Sequence, residues 1–282
     1  MTINPVVKPF LKWAGGKRYL ISEIKQRWPA TFKGTYFEPF LGGGAVLFSL
    51  QPKKAVVNDI NSELINCYKV IRDNVEELIQ CLRHHENEES YYYQVRDWDR
   101  ECTFRQRDAT ERAARIIFLN KTCYNGLFRV NSQGQFNVPF GRYKAPNIVD
   151  VIVLRAVSHY LNEADITFLN TDFSEATATA KRGDLVYFDP PYDSNTDPAS
   201  FTGYDVKGFD REQQLRLRLL TDDLHKRGCK FLLSNAYTLY TDSLYKSNPQ
   251  YHFDIVEVPR PINSNAAKRG KVDEILVRNY SI

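Results

Sequence analysis

The chain has 282 residues, of which 43% are hydrophobic and 26% charged, with a formal net charge of +4. This composition excludes disordered and fibrous classes and fits one large α/β domain, or a core domain with a substantial insertion. No apolar run reaches the ~20 residues that a bilayer-spanning helix needs, and Lys8, Pro9 and Lys12 break the N-terminal stretch MTINPVVKPFLKW too early for a signal peptide.

In chain order, residues 21–28 carry helical spacing. Thr35-Tyr36-Phe37-Glu38 reads as a strand, followed by a glycine turn and the apolar run Ala45-Val46-Leu47-Phe48. Ala55-Val56-Val57-Asn58 reads as a second strand that ends at Asp59. This is βαβ grammar. Residues 64–82 then place apolar side chains at 64, 68, 71, 75, 78, 79 and 82, which predicts one helix. A second helix is predicted over 111–120, with the polar stretch 84–108 between them and no strand signal. The block reads as a helical insertion. Residues 127–130 and 135–138 flank the turn-forming quartet Asn131-Ser132-Gln133-Gly134 and predict an exposed hairpin. Pro139 keeps its second arm out of a central sheet position. The α/β pattern resumes near Ile148. Leu185-Val186-Tyr187-Phe188 has the short, wholly apolar look of a buried parallel strand. Residues 210–227 predict a helix, with Asp210 and Gln213 as a capping box and Gly228 as C-cap. Residues 230–234 predict a further strand, and 254–258 with 274–277 a terminal antiparallel pair. The expected architecture is α/β: a Rossmann-like sheet from residues 1–60 and 146–282, interrupted by an insertion over 61–145.

Charge is uneven along this frame. Residues 121–144 contain Lys121, Arg129, Arg142 and Lys144 and no acid; residues 259–271 contain Arg260, Lys268, Arg269 and Lys271 and no acid. Two acid-free loops rich in Asn, Ser, Gln and Tyr suit a polyanion that also offers hydrogen-bonding edges, though solvated surface loops would look the same.

Two short motifs carry chemistry. Glu38-Pro39-Phe40-Leu41-Gly42-Gly43-Gly44 lies between a strand and a helix, where glycines let a ligand approach the backbone closely. Asp59, fifteen residues past Gly44, stands where a carboxylate can accept both ribose hydroxyls of a nucleoside cofactor. The loop is not GxGxxG, so no pyrophosphate site is implied. Asp189-Pro190-Pro191-Tyr192 directly follows the buried strand, at the cleft end of an open α/β sheet. An exocyclic amine on adenine is a poor nucleophile because its lone pair is delocalised. The Asp189 carboxylate and the Pro190 carbonyl can accept its two N–H bonds and draw it towards tetrahedral geometry. Pro191 stiffens the turn, and Tyr192 offers a ring face to an extruded base.

These blocks resemble the Dam family of DNA adenine-N6 methyltransferases, whose members act at GATC. The resemblance is collinear through FLKWAGGKR at 10–18, EPFLGGGAV at 38–46, DIN at 59–61, YNGLFRVNSQGQFNVPFGRYK at 124–144, DPPY at 189–192 and KVDEILV at 271–277. It implies a Rossmann-like S-adenosylmethionine-dependent methyltransferase domain carrying an inserted DNA-recognition region. It implies that Trp13, Lys17, Asp59 and Asp189 bind S-adenosylmethionine, together with Glu38, Phe40, Gly42 and Gly44 of the glycine loop and Asp172 near the cofactor adenine. Asp189, Pro190, Pro191 and Tyr192 would be catalytic. On the DNA side, Arg129 falls at the family's guanine-reading arginine, a pairing that groove chemistry also favours. Leu127 and Pro139 match apolar contacts to a thymine methyl, Tyr124 and Asn125 match residues that enter the duplex beside the extruded adenine, and Lys12 matches a base contact. Where family loops can read GAGS this chain has Gly42-Gly43-Gly44-Ala45, and residues 84–108 hold no motif that the resemblance explains.

The expected activity is therefore methyl transfer from S-adenosylmethionine, released as S-adenosylhomocysteine, to adenine N6 in double-stranded DNA. Neither a metal nor a membrane is expected, and the enzyme is expected to act as a cytoplasmic monomer. Cytosine C5 chemistry needs a thiolate, expected after proline, and none of Cys67, Cys81, Cys102, Cys123 and Cys229 follows one. Cytosine N4 methylation shares the acceptor chemistry and is set aside by the resemblance. A dinucleotide-dependent oxidoreductase leaves DPPY unexplained, and a silent DNA-binding protein leaves the tetrapeptide and cofactor residues without purpose.

Overall fold

The computed structural model describes residues 3–13, 15–29, 32–193, 209–259 and 271–282. Seven strands form one sheet: β1 (Tyr36–Glu38), β2 (Lys54–Asn58), β3 (Asp165–Leu169), β4 (Leu185–Phe188), β5 (Lys230–Ala236), β6 (His252–Pro259) and β7 (Lys271–Arg278). Their order is β3-β2-β1-β4-β5-β7-β6. The first five run parallel, and β7 lies antiparallel to both β5 and β6. The chain steps outward from β1 to β2 and β3, then returns to the other side of β1 for β4 and β5. That reversal opens a crevice at the carboxyl ends of β1 and β4, where open α/β sheets bind their ligands.

Period-2 alternation separates the two faces of the sheet. Tyr187, Leu232 and Leu276 point into one apolar cluster, while Val186, Phe188, Leu233, Ile275 and Val277 point into the other. All four residues of β4 are buried, as expected of a strand covered on both faces. The first cluster is covered by α3 (Ser62–Asp73), α4 (Val75–Arg83), α6 (Ala109–Thr122) and α7 (Val151–Glu163), and the second by α9 (Arg211–Lys226). The short helix α1 (Ile21–Gln26) precedes β1, α2 (Ala45–Leu50), α8 (Phe173–Ala176) and α10 (Leu239–Tyr245) link strands, and α5 (Glu89–Asp97) lies between α4 and α6.

Several sequence expectations meet the structure closely. Asp210 caps α9 by accepting the Gln213 N–H at 3.0 Å, and Gly228 follows its end at φ +77°. The terminal pair is present and extends to eight residues a strand. Others differ. The single helix predicted over 64–82 is two, because Asn74 leaves helical geometry at φ −137°. The apolar positions on both sides of the break still reach the sheet cluster, so the periodicity survived while the axis bent. The predicted hairpin arms form only the isolated bridges Val130↔Phe136 and, further along, Cys123↔Phe140. Its turn is tied instead by Asn131, whose carbonyl accepts the Gly134 N–H and whose side chain accepts those of Gln133 and Gln135.

A third, smaller core forms from Tyr92, Val95, Phe118, Leu119, Cys123, Phe136 and Val138. Helix α6 belongs to two cores: Ala113, Ala114, Ile116 and Ile117 face the sheet cluster, and Phe118 and Leu119 the smaller one. Helices α3 and α4 pack wholly with the sheet. Among the described residues no helix is long and apolar enough to cross a membrane.

Candidate active site

The glycine loop begins where β1 ends. Gly42 and Gly44 sit at φ +50° and +70°, in the left-handed region that favours glycine. A Cβ on Gly42 would lie 2.9 Å from Trp13 Cδ1, and one on Gly43 3.0 Å from Trp13 Cβ, so Trp13 packs directly on the loop. Asp59, just past β2, accepts the Gly42 N–H at 2.9 Å through one oxygen and the Asn61 N–H at 2.9 Å through the other. The carboxylate thus sets the loop's shape and keeps lone pairs for a further donor. The Tyr68 hydroxyl donates to the Gly42 carbonyl at 2.9 Å and holds the turn from α3.

Across the crevice, Asp189 follows β4. Lys17 Nζ lies 2.7 Å from Asp189 Oδ1, donates to the Gly15 carbonyl at 2.8 Å, and stands 4.2 Å from the centroid of the Tyr192 ring. The lysine is 7% exposed, so this buried cation is held by a carboxylate, a carbonyl and an aromatic face together. Ser234 Oγ, on β5, also donates to Asp189 Oδ1 at 3.3 Å and is itself paired with the Tyr187 hydroxyl at 2.9 Å. Both contacts fall on Oδ1; among the described residues no hydrogen bond reaches Oδ2. Burial pushes the Asp189 carboxyl above its usual range, and Lys17 opposes that shift.

The Tyr192 hydroxyl donates to Glu274 on β7 at 2.7 Å. Gln214 of α9 donates to the Pro191 carbonyl at 2.9 Å and accepts from Asn235, whose own oxygen receives the Asp193 N–H. The DPPY turn is therefore held from β5, β7 and α9 at once. Ser234, Glu274, Gln214 and Asn235 escaped the sequence reading. Glu274 stood inside the KVDEILV block, but nothing local says that β7 runs beside β5 and delivers it to the crevice.

Glu38 is 2% exposed and accepts the Tyr36 hydroxyl at 2.8 Å. Burial raises its carboxyl to about 8, with the Asp189 charge adding to the rise. Asp172 caps α8 and lies 3.0 Å from Arg216, while its neighbour Phe173 stacks on Phe40 with ring centroids 5.4 Å apart.

The recognition candidates are Lys12, from the segment before β1, and residues of the 124–139 stretch that follows α6. Arg129 is exposed, with Nε donating to Asn137 at 2.8 Å. Tyr124 is 54% exposed, and its N–H donates to the Pro139 carbonyl at 2.9 Å. Asn125 adopts φ +56°, Leu127 is half-buried, and Lys12 is exposed over the Tyr143 ring at 5.2 Å. Of the second basic loop, Arg260, Lys268 and Arg269 lie outside the described residues, as does the side chain of Lys271.

Residues 13–260 match the family described as D12 class N6 adenine-specific DNA methyltransferase. The chain belongs to that family. It is 44% identical to "Type II methyltransferase M1.LlaDCHI" of Lactococcus lactis subsp. cremoris, over 97% of this chain and 96% of that one. It is 41% identical to "Type II methyltransferase M.MjaIII" of Methanocaldococcus jannaschii, over 97% and 99%, and 36% identical to the "DNA adenine methylase" of Escherichia coli K12, over 95% and 94%. This D12 methyltransferase accordingly methylates adenine N6 in DNA, and its family implies S-adenosylmethionine as the donor. The crevice fits such a group. The Asp59 carboxylate at the end of β2 keeps lone pairs for a nucleoside's hydroxyls, and the Lys17–Asp189 end is polar enough for the amino-acid half. Among the described residues no three His, Cys, Asp or Glu are grouped to hold a metal.

The Glu38 shift makes a stability prediction for this methyltransferase. The native carboxyl is raised above its unfolded value of ~4.3, so its contribution is full below that pH and is lost as pH rises towards about 8. Glu38→Gln keeps an acceptor for Tyr36 without a charge. It should melt with the parent near pH 4 and several degrees above it at pH 8, since ~1 kcal/mol moves the Tm of a few-hundred-residue protein by ~2–4 °C. Equal melting temperatures at both pH values would mean that Glu38 is not held neutral.

Proposed function

We propose that the enzyme methylates adenine within GATC in double-stranded DNA, acting as a monomer on a base rotated out of the duplex, with Asp189 as the acceptor that activates N6. The observation that carries this reading is the Asp189 carboxylate at the switch point of the sheet, with Oδ1 secured by Lys17 and Ser234 and Oδ2 facing no described partner. Asp189 Oδ2 accepts one N6–H and the Pro190 carbonyl the other. Together they localise the nitrogen lone pair that conjugation otherwise spreads into the ring. Lys17 opposes the burial that raises the Asp189 carboxyl, and Glu274 holds the Tyr192 ring for stacking on the extruded base. Trp13, Lys17, Glu38, Phe40, Gly42, Gly44, Asp59, Asp172 and Asp189 line the cofactor side. S-adenosylmethionine, when bound, supplies an electrophilic methyl group. N6 would gain the methyl carbon as the donor's sulfur–carbon bond breaks to leave S-adenosylhomocysteine, and one N6 proton would pass to solvent; this direct transfer needs no bond to the chain.

Within residues 61–145, the stretch beyond α3 and α4 supplies target recognition in this proposal. Arg129 reads guanine, Leu127 and Pro139 contact a thymine methyl, Tyr124 and Asn125 fill the space left by the flipped base, and Lys12 adds a base contact. The GATC assignment is supported by the family blocks in 124–144 and by relatives named DNA adenine methylase.

Three measurements test this. Labelled-methyl transfer to duplexes with and without GATC, followed by nucleoside analysis, should show N6-methyladenine in the GATC duplex; Asp189→Ala, folded, should abolish it, and near-parent turnover would refute the acceptor role. Lys17→Met removes the cation that opposes the raised Asp189 carboxyl. The acid limb of its kcat profile should therefore move to higher pH, and an unmoved limb would remove Lys17 from that role. Arg129→Ala should relax discrimination at one base pair by ~1–3 kcal/mol in kcat/KM; an unchanged sequence preference would reassign that arginine.

A further inference from the structure

We propose that Asn120, together with the stacked pair Trp13 and Phe128, couples cofactor binding to DNA recognition. Asn120 is a positioning residue here: it touches neither ligand. It sits in the last turn of α6 and is 0% exposed. Its side-chain oxygen accepts the Lys12 N–H at 2.8 Å, and its nitrogen donates to the Lys12 carbonyl at 2.7 Å and the Gly126 carbonyl at 3.1 Å. One amide thus uses its oxygen and both N–H bonds to clasp two chain segments that are more than a hundred residues apart. Buried polar groups satisfied to this degree rigidify what they join.

The two joined segments lead to the two substrates. Lys12 is followed by Trp13, which packs on Gly42 and Gly43 so closely that a Cβ on Gly42 would be 2.9 Å from its ring. Gly126 stands at φ +62° in the loop that carries Tyr124, Asn125 and Leu127. A Cβ there would fall 2.4 Å from Lys12 Cδ and 2.9 Å from Lys12 Cβ, so the loop backbone lies directly against the Lys12 side chain. A second, aromatic link runs in parallel. The Trp13 ring stacks on Phe128 with centroids 4.8 Å apart and planes 25° from parallel, and Phe128 lies between Leu127 and Arg129. The glycine loop, Trp13, Phe128 and the reading arm are therefore packed in series. A shift of the loop on cofactor binding is passed to the arm because close-packed interiors transmit displacement rather than absorb it. The reverse path is the same, so the two affinities must change by one common factor.

This inference rests on the assignment of the glycine loop to the cofactor and of residues 124–139 to DNA. The test uses the full chain, S-adenosylhomocysteine, and a GATC duplex with 2-aminopurine at the target adenine. Each affinity is measured alone and with the other ligand saturating. In the parent, each ligand should tighten the other by at least about fivefold, with a matching rise in 2-aminopurine fluorescence. In Asn120→Ala and Phe128→Leu the coupling factor should fall below about twofold, by more than either single affinity changes, with a smaller fluorescence rise. A folded variant that keeps the parent's coupling factor overturns the proposal, as does a parent factor of one. If Asn120→Ala does not fold, Phe128→Leu decides, since it leaves no polar group unpaired. Trp13→Ala and Arg129→Ala separate the premise from the inference. Unchanged cofactor and DNA affinities in those variants would sink the site assignment itself, whereas losses there with intact coupling in Phe128→Leu would sink only the coupling.

Discussion

The ion pair between Lys17 and Asp189 is the contact on which the crevice depends. A carboxylate at the buried end of β4 is costly to keep charged, and burial does raise its proton affinity. A cation 2.7 Å away offsets that cost, and the same cation lies against the Tyr192 ring. Removing either partner would leave an uncompensated buried charge. Glu38, a second buried carboxyl whose charge couples to that of Asp189, meets the same problem in the opposite way: burial carries it to about 8, which favours the neutral form below that pH and lessens the like charge felt by Asp189.

The sheet order makes this contact possible. Lys17 comes from the segment before β1 and Asp189 from the end of β4, and they meet because β1 and β4 are neighbours at the reversal. Ser234 and Glu274 arrive from β5 and β7 on the same side. The antiparallel entry of β7 between β5 and β6 is what brings Glu274 to the Tyr192 hydroxyl. With Gln214 of α9, which donates to the Pro191 carbonyl, four separate stretches of chain converge on one turn of four residues.

Helix α6 joins the sheet core to the smaller core around Phe118 and Phe136, with one apolar face in each, and its last turn carries the Asn120 clasp. The arm beyond it buries Phe136 and Val138 but has few ladder hydrogen bonds of its own. Its shape comes from the Asn131 turn, from Asp99 accepting the Phe136 N–H at 2.8 Å, and from the buried Arg115 that pairs with Asp99 at 2.8 Å. Asp99 lies in the 84–108 stretch that carried no recognisable motif, and its part is to hold the arm rather than to read a base.

Much of the local structure was legible in residues 1–282 alone. The glycine turn after the first strand, the wholly apolar LVYF strand before DPPY, the capped helix at Asp210 and the closing antiparallel pair all follow from periodicity, backbone freedom and turn chemistry, which act over a few neighbours. Two things were not legible. The break at Asn74 leaves the hydrophobic spacing intact, so a pattern reading passes over it. The partners of DPPY depend on which strands lie side by side, and pairwise contacts such as Tyr192 with Glu274, or Asn120 with Lys12, connect residues 82 and 108 positions apart. Local sequence determined which groups this protein owns and the elements that carry them. Only the tertiary packing decided which of those groups meet, because nothing short of the assembled sheet sets the distance between them.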